Sequence, residues 1–188
     1  MLRVTVVSVI AAIIASASCE RVPDETTVAA ADCSPKPTVD TKSWRTVTLT
    51  DCGIRIKLPR TYHERRGDVV VNNAVIHSFE GNGFDNVTIS LESPLSPNTT
   101  INEQKIGRQT DYEGYTECKE RISGRDAIVQ SFRGSGMITD NTHQFRVYSV
   151  NAVFQRGQAE FVRVSAATSD RKSQEQLLAA IYSVVFTR

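Results

Sequence analysis

The chain has little that would announce a chemistry. Its 188 residues include three histidines, four cysteines and one tryptophan, and 22 lysines and arginines balance 21 aspartates and glutamates. A formal net charge of +1 leaves no basic footprint for nucleic acid, so no nucleic-acid partner is expected. It also gives no long-range pull on acidic partners. The cysteines (Cys19, Cys33, Cys52 and Cys118) form no Cys-x-x-Cys pair and no Cys/His cluster at zinc spacing, which argues against a structural zinc site. A glycine-rich phosphate loop and a dinucleotide fingerprint are both missing. Gly134-Ser135-Gly136 lacks the spacing of a nucleophile elbow, which leaves Ser135 as a turn residue. No cofactor and no enzymatic activity are expected from these motifs.

An apolar run long enough to span a bilayer comfortably is missing too. What stands at the start is shorter. Arg3 is the only charge in the first eighteen residues, Val4 to Ile14 are mostly apolar, and Ala15, Ser16, Ala17 and Ser18 are small. A basic start, an apolar stretch and small residues make a secretory signal, expected over residues 1–18. Two processing routes fit. Ser16-Ala17-Ser18-Cys19 resembles a bacterial lipobox, with Ser16 where Leu is usual, and makes Cys19 the lipid-bearing first residue of the mature chain. Ala15-Ser16-Ala17 is alternatively an Ala-x-Ala cleavage site that leaves a soluble secreted protein. Residues 19–42 hold Pro23, Pro35 and Pro37 among small and polar residues. Such composition cannot bury enough apolar surface to offset its ordering entropy, so a flexible tether is expected, spanning roughly 25 Å.

Residues 43–188 suit one domain. Period-2 patterns dominate. Ile54, Ile56 and Leu58 alternate with Arg55 and Lys57 until Pro59. Val69–Val71, Ala74–Phe79 and Val87–Leu91 read as further strands. Residues 101–111 have room for a short helix. Tyr112–Ile122 and Arg125–Arg133 read as a hairpin about Ser123-Gly124, and 144–155 and 159–167 as another about Arg156-Gly157. In the second hairpin both phases are apolar, Phe145, Val147 and Val153 on one and Tyr148, Val150, Ala152 and Phe154 on the other, so that strand is expected to be central and covered on both sides. The period then changes. Ser173 and Gln176 have the form of a capping box, and Leu177, Leu178, Ile181, Val184 and Val185 fall at helical spacing. An α+β fold is expected, an antiparallel sheet with a C-terminal helix. In an exported chain Cys52 and Cys118, both in predicted strands, are expected to pair, with Cys33 left in the tether.

Three segments carry a family resemblance. GIRIKLPRTYHER (53–65) combines the apolar alternation with Leu58-Pro59 and then Tyr62. ISGRDAIVQSF (122–132) has an Ile-x-Gly-x-x-Ala pattern. SQEQLLAAIYSVVF (173–186) ends in a serine and an apolar pair. In this order they resemble the PsbP-like superfamily, which includes photosystem extrinsic subunits, Mog-type factors and DcrB-type bacterial lipoproteins. The resemblance implies an α/β/α sandwich, with helices covering an antiparallel sheet, and a partner-binding role without a shared catalytic residue.

Among candidate site residues, His77, Glu80 and Asp85 lie close in sequence across the Gly81-Asn82-Gly83 turn and are weak metal-ligand candidates. His63 and His143 read as surface residues, and Arg60, Arg65 and Arg66 as a solvated basic loop. Three functions follow. The first is a lipid-anchored binding or assembly module of the bacterial cell envelope, meeting the membrane through the lipid on Cys19 and a protein partner at the membrane surface. The second is a carrier of a small apolar ligand in a lipocalin-like barrel. The third is a hydrolase or metal enzyme around His77.

Overall fold

The computed structural model describes residues 36–65, 69–71, 74–83, 85–94, 96–107, 109, 112–137 and 144–187. The expected signal at 1–18, Cys19, Cys33 and the tether up to residue 35 lie outside the described residues, as do Arg66 and His143.

Short-range chemistry sets most of the elements. The chain runs β1 (Arg45–Leu49), β2 (Ile54–Leu58), β3 (His63–Glu64), β4 (Val69–Val71), β5 (Ala74–Glu80), β6 (Asn86–Glu92), α1 (Ile101–Gln104), β7 (Glu113–Ile122), β8 (Arg125–Met137), β9 (Gln144–Gly157), β10 (Glu160–Thr168), α2 (Arg171–Tyr182) and β11 (Val185–Phe186). Ser123 and Gly124 join β7 to β8 with φ of 51° and 77°. Two positive φ values in a two-residue loop match the right-handed twist of the flanking strands. The β9–β10 turn falls later than expected. Gly157 still pairs with Glu160, and Gln158-Ala159 makes the reversal. Gly134, Ser135 and Gly136 are not a turn either, since they pair with Val147, Arg146 and Phe145 inside the β8–β9 ladder.

The expected α+β class, an α/β/α sandwich with covering helices, is not what forms. Among the described residues the architecture is two antiparallel sheets and two helices of 4 and 12 residues. The small sheet is ordered β1-β2-β11, and the large one β3-β5-β6-β10-β9-β8-β7 with β4 beside β5. The reason lies in β1 and β2. Val47, Leu49, Ile54, Ile56 and Leu58 are all buried while Thr48 and Arg55 are exposed, so these strands form their own one-sided sheet rather than joining the large one. That sheet and α2 together lie on the inner face of the large sheet. One core joins them, in which Ile54, Ile56 and Leu58 meet Val150, Ala152, Phe154, Val162, Val164, Leu177 and Ile181. The large sheet is open, its path ending at β3 and β7, so the lipocalin-like barrel is not made among the described residues.

The outer face of the large sheet is buried as well. Val153 and Phe161 are fully buried there, as Ala152 and Phe154 are on the inner face. The cover is the irregular crossover from β6 to β7, with α1 packed on β8 and β9. Thr100 starts α1, its N–H donating to Glu103 Oε2 at 2.7 Å. Arg163 on β10 clamps the crossover, bonding Glu92 at 2.6 Å and the Gln104 carbonyl at 2.6 Å. The longer helix is capped by Asp170, which accepts from Ser173 N at 3.0 Å, and not by Ser173. No helix among the described residues is long and apolar enough to cross a membrane.

Candidate functional site

A strand points successive side chains to opposite faces. His77 and Glu80 are three residues apart on β5, so they cannot meet. His77 faces inward with Phe79, whereas Glu80 faces out and pairs with Arg65 at 3.3 Å. Asp85 is occupied elsewhere. It accepts from Thr168 Oγ1 at 2.5 Å, and its carbonyl accepts from Gly81 N at 2.8 Å. It also accepts from Tyr62, whose hydroxyl is pushed well above its ordinary range by burial and by the Asp85 charge. His77, Glu80 and Asp85 therefore do not form a site. His63 is exposed on β3, and Arg60 donates to the Ser43 carbonyl at 3.0 Å.

His77 meets a different pair. Asp51 and Cys52 sit in the Thr50–Gly53 turn between β1 and β2, closed by Gly53 N donating to the Thr50 carbonyl at 3.2 Å. Gly53 has φ of +63° and lies against the Arg156 guanidinium, 3.1 Å from where a Cβ would stand. Both facts call for glycine. Asp51 Oδ2 is 2.8 Å from His77 Nε2, and Glu64 Oε1 is 3.9 Å from His77 Nδ1. Ligand-type atoms of Asp51, Cys52 and His77 all lie within 4.8 Å of one another. From the β9 end, Arg156 Nη1 donates to the Asp51 carbonyl at 3.1 Å.

The electrostatics of this cluster oppose nucleophilic catalysis. Burial, then the Asp51 charge, push the Cys52 thiol up to about 12, against a smaller opposing effect of Arg156. A protonated thiol is a poor nucleophile at neutral pH. Burial also raises Asp51, but the hydrogen bonds from His77 and the Cys52 backbone outweigh it and hold the carboxyl below its ordinary value. His77 spends Nε2 on Asp51, so the base is not aimed at a thiolate. The missed signal was the phase of β5. His77 shares it with Phe79, so its partner had to come from an element packed on the inner face.

The expected Cys52–Cys118 bridge is not formed; both thiols are buried without a bond between them. Register explains this. One row across the inner face runs His77, Ile89, Val164, Ala152, Val129, Cys118. Cys52 stands beside the first member, and Cys118 is the last. Five strand intervals of about 4.8 Å separate the ends, roughly 24 Å along the sheet, whereas a bridge needs Cα atoms within about 7 Å.

The outer face carries the second feature. The row opposite the core reads Ser78, Thr88, Ser165, Asn151, Gln130, Glu117, polar throughout. Gln130, fully buried, is its hub. Its Oε1 accepts from Ile106 N at 3.0 Å, and its Nε2 donates to the Ile106 carbonyl at 2.8 Å and to Tyr115 Oη at 2.5 Å. Tyr115 in turn donates to Glu117 at 2.8 Å, and Lys105 to Glu117 at 3.0 Å. This network pins the end of the crossover as a strap over the sheet. Beside it opens a groove of about 470 Å³, within the size of small-molecule sites. Its apolar lining includes Ile106, Tyr112, Phe132 and Val147, with the Tyr112 and Phe132 rings stacked at 4.0 Å. Its polar lining is Asn86, Gln109, Ser149, Asn151 and Ser165, and no charged side chain lines it among the described residues. Asn151 is almost fully buried there.

Glu117 makes the strap acid-sensitive. Burial raises its pKa, but the bonds from Lys105, Tyr115 and Gln130 and the Lys105 charge outweigh it and hold the carboxyl below its ordinary 4.5. A depressed carboxyl contributes stability that is present above the ordinary value and lost as pH falls through the lowered one. Amide protection at Ile106 is expected to fall selectively as pH drops below the ordinary carboxyl value and through the lowered one, and Glu117→Gln to remove that dependence. Hydrogen exchange followed by NMR checks it; protection that falls together with that of β9 would mean global unfolding instead.

Comparison with protein-family models and with curated proteins finds no match for this chain.

Proposed function

We propose that the chain is a lipid-anchored binding module of the bacterial cell envelope, held at the membrane through Cys19, which takes a small neutral ligand in the groove beside the strap pinned at Lys105 and Ile106. The observation that supports it is the lining of that groove. Aromatic and aliphatic groups line it together with carboxamides and hydroxyls, with no charge among the described residues. Convergent polar groups in a mostly apolar concavity fix orientation and give specificity. The ligand that fits combines a flat apolar face with hydroxyl or amide groups. The protonated Cys52 thiol and the His77–Asp51 bond favour binding over nucleophilic chemistry.

A protein partner at the membrane surface is the second reading, favoured by β7, a ten-residue strand at the open end of the sheet. Extended segments add to such edges through main-chain bonds.

The test titrates isotope-labelled protein with glucose and with N-acetylglucosamine, a sugar ring without and with an amide. Shifts are expected to cluster at Tyr112, Phe132, Ser149, Asn151 and Ser165, and Asn151→Ala to weaken them severalfold. Shifts confined to Glu113–Ile122 upon addition of a membrane extract would support the edge instead. No cluster at the groove with either sugar would count against the sugar-like ligand.

A further inference from the structure

We infer that Asp51, Cys52 and His77 bind a divalent transition-metal ion, zinc being the type case, with Glu64 orienting the histidine. The site is independent of the groove, being on the inner face of the large sheet. Three observations carry it. The first is composition and distance. One carboxylate oxygen, one sulfur and one imidazole nitrogen lie within 4.8 Å of one another. Sulfur with imidazole suits zinc, cobalt or copper and not calcium or magnesium. In a tetrahedral site, bonds of about 2.0 Å would place the nitrogen and oxygen roughly 3.3 Å apart. Asp51 Oδ2 and His77 Nε2 stand at 2.8 Å. The ion therefore replaces the shared proton with a shift of about half an ångström between these two atoms, and Cys52 Sγ, within 4.8 Å of both, closes on the ion by roughly a further ångström.

The second observation is Glu64. Its Oε1 is 3.9 Å from Nδ1, the ring nitrogen that does not face Asp51. That distance is too long for a hydrogen bond, but the Glu64 charge favours a proton on Nδ1, so that Nε2 is left to the metal once its proton is displaced from the Asp51 bond.

The third is support and access. Two ligands ride on the turn locked by Gly53, and the third on β5 within the large sheet, so the set is rigid. Cys52 is fully buried, while the Asp51 side chain is 39% exposed. Solvent therefore reaches the site from the Asp51 side, where water completes the coordination. Binding releases the Cys52 proton to solvent, because sulfur coordinates as thiolate. Carboxylate and thiolate then neutralise the ion. Arg156, bonded to the Asp51 carbonyl at 3.1 Å, adds a positive charge that holds affinity below that of closed thiolate sites.

The test uses the full-length chain without an affinity tag, stripped with chelator and titrated with Co²⁺ and then Zn²⁺. One equivalent of Co²⁺ is expected to give a thiolate-to-cobalt charge-transfer band and visible bands of a tetrahedral site, and Zn²⁺ to displace it. Cys52→Ser should lose the charge-transfer band. Asp51→Asn and Glu64→Gln, at exposed positions that do not threaten folding, should each weaken binding about tenfold or more. Absence of the band in the wild type overturns the site. So does a band that persists in Cys52→Ser, or Co²⁺ affinity unchanged in both Asp51→Asn and Glu64→Gln.

Discussion

Ile181→Asp is expected to leave the chain largely unfolded at room temperature. Ile181 is fully buried on α2, in the one core that joins both sheets. The helix stands on β9, β10 and β2 at once. Loss of the aliphatic packing alone costs about 2–5 kcal/mol. A carboxylate placed there has no partner, and whether it stays charged or takes a proton it adds several kcal/mol more. Together these approach the whole stability of an ordinary domain, about 5–15 kcal/mol. Gln176→Asp, on the exposed side of the same helix, should shift the melting temperature only slightly. Circular dichroism melts of the two variants and wild type decide it. A cooperative transition at the wild-type temperature in Ile181→Asp would mean that α2 does not close the core.

Which parts of this fold were legible follows from whether the cause is local. The alternation Ile54, Ile56, Leu58 is written in five residues, and β2 is there. Ser123-Gly124 marks its hairpin because only special backbone angles close a two-residue loop. The β9 core, apolar in both phases, is covered on both faces. The third strand of the small sheet was not legible, because it depends on Phe186 pairing with Ile54 across most of the chain. That pairing also explains the helical stripe. Ser183 N donates to the carbonyls of Ala179 and Ala180, and the helix stops. Val184 is then buried from the loop, whereas Val185 is 41% exposed in β11. Two residues at helical spacing thus belonged to no helix. The covering helices implied by the family resemblance failed for the same reason, since the inner cover is mostly sheet and the outer cover mostly irregular chain. At the site, strand phase already separated His77 from Glu80. Its true partners stand 25 and 26 residues upstream, brought in by the packing of one sheet on another.

The second large effect falls on Gln130. Replacing it by leucine keeps the side-chain volume and removes both halves of its amide. Ile106 then loses the acceptor for its N–H and the donor to its carbonyl, and Tyr115 loses the proton it accepts. A buried polar group left without a partner costs about 1–3 kcal/mol. Two backbone groups and a hydroxyl cannot all stay buried on those terms, so the strap should lift into water rather than remain. The expected loss is about 3 kcal/mol in local stability, roughly a hundredfold in the opening equilibrium of Ile106. Tyr115→Phe removes the bond from Gln130 and the bond to Glu117 but leaves the Ile106 bonds intact, and should cost less, about 1–2 kcal/mol. Amide exchange at Ile106, read against a β9 amide such as Ala152, separates strap opening from global unfolding. The sheet beneath should hold, because Ile128, Val153 and Phe161 keep their packing between the strands and Arg163 still clamps the crossover at Gln104. Equal effects of the two substitutions would place the strap's anchor at Tyr115 instead. Unchanged protection of Ile106 in Gln130→Leu would show that the crossover is held by α1 and Arg163 alone, and the groove beside it would then owe its shape to them.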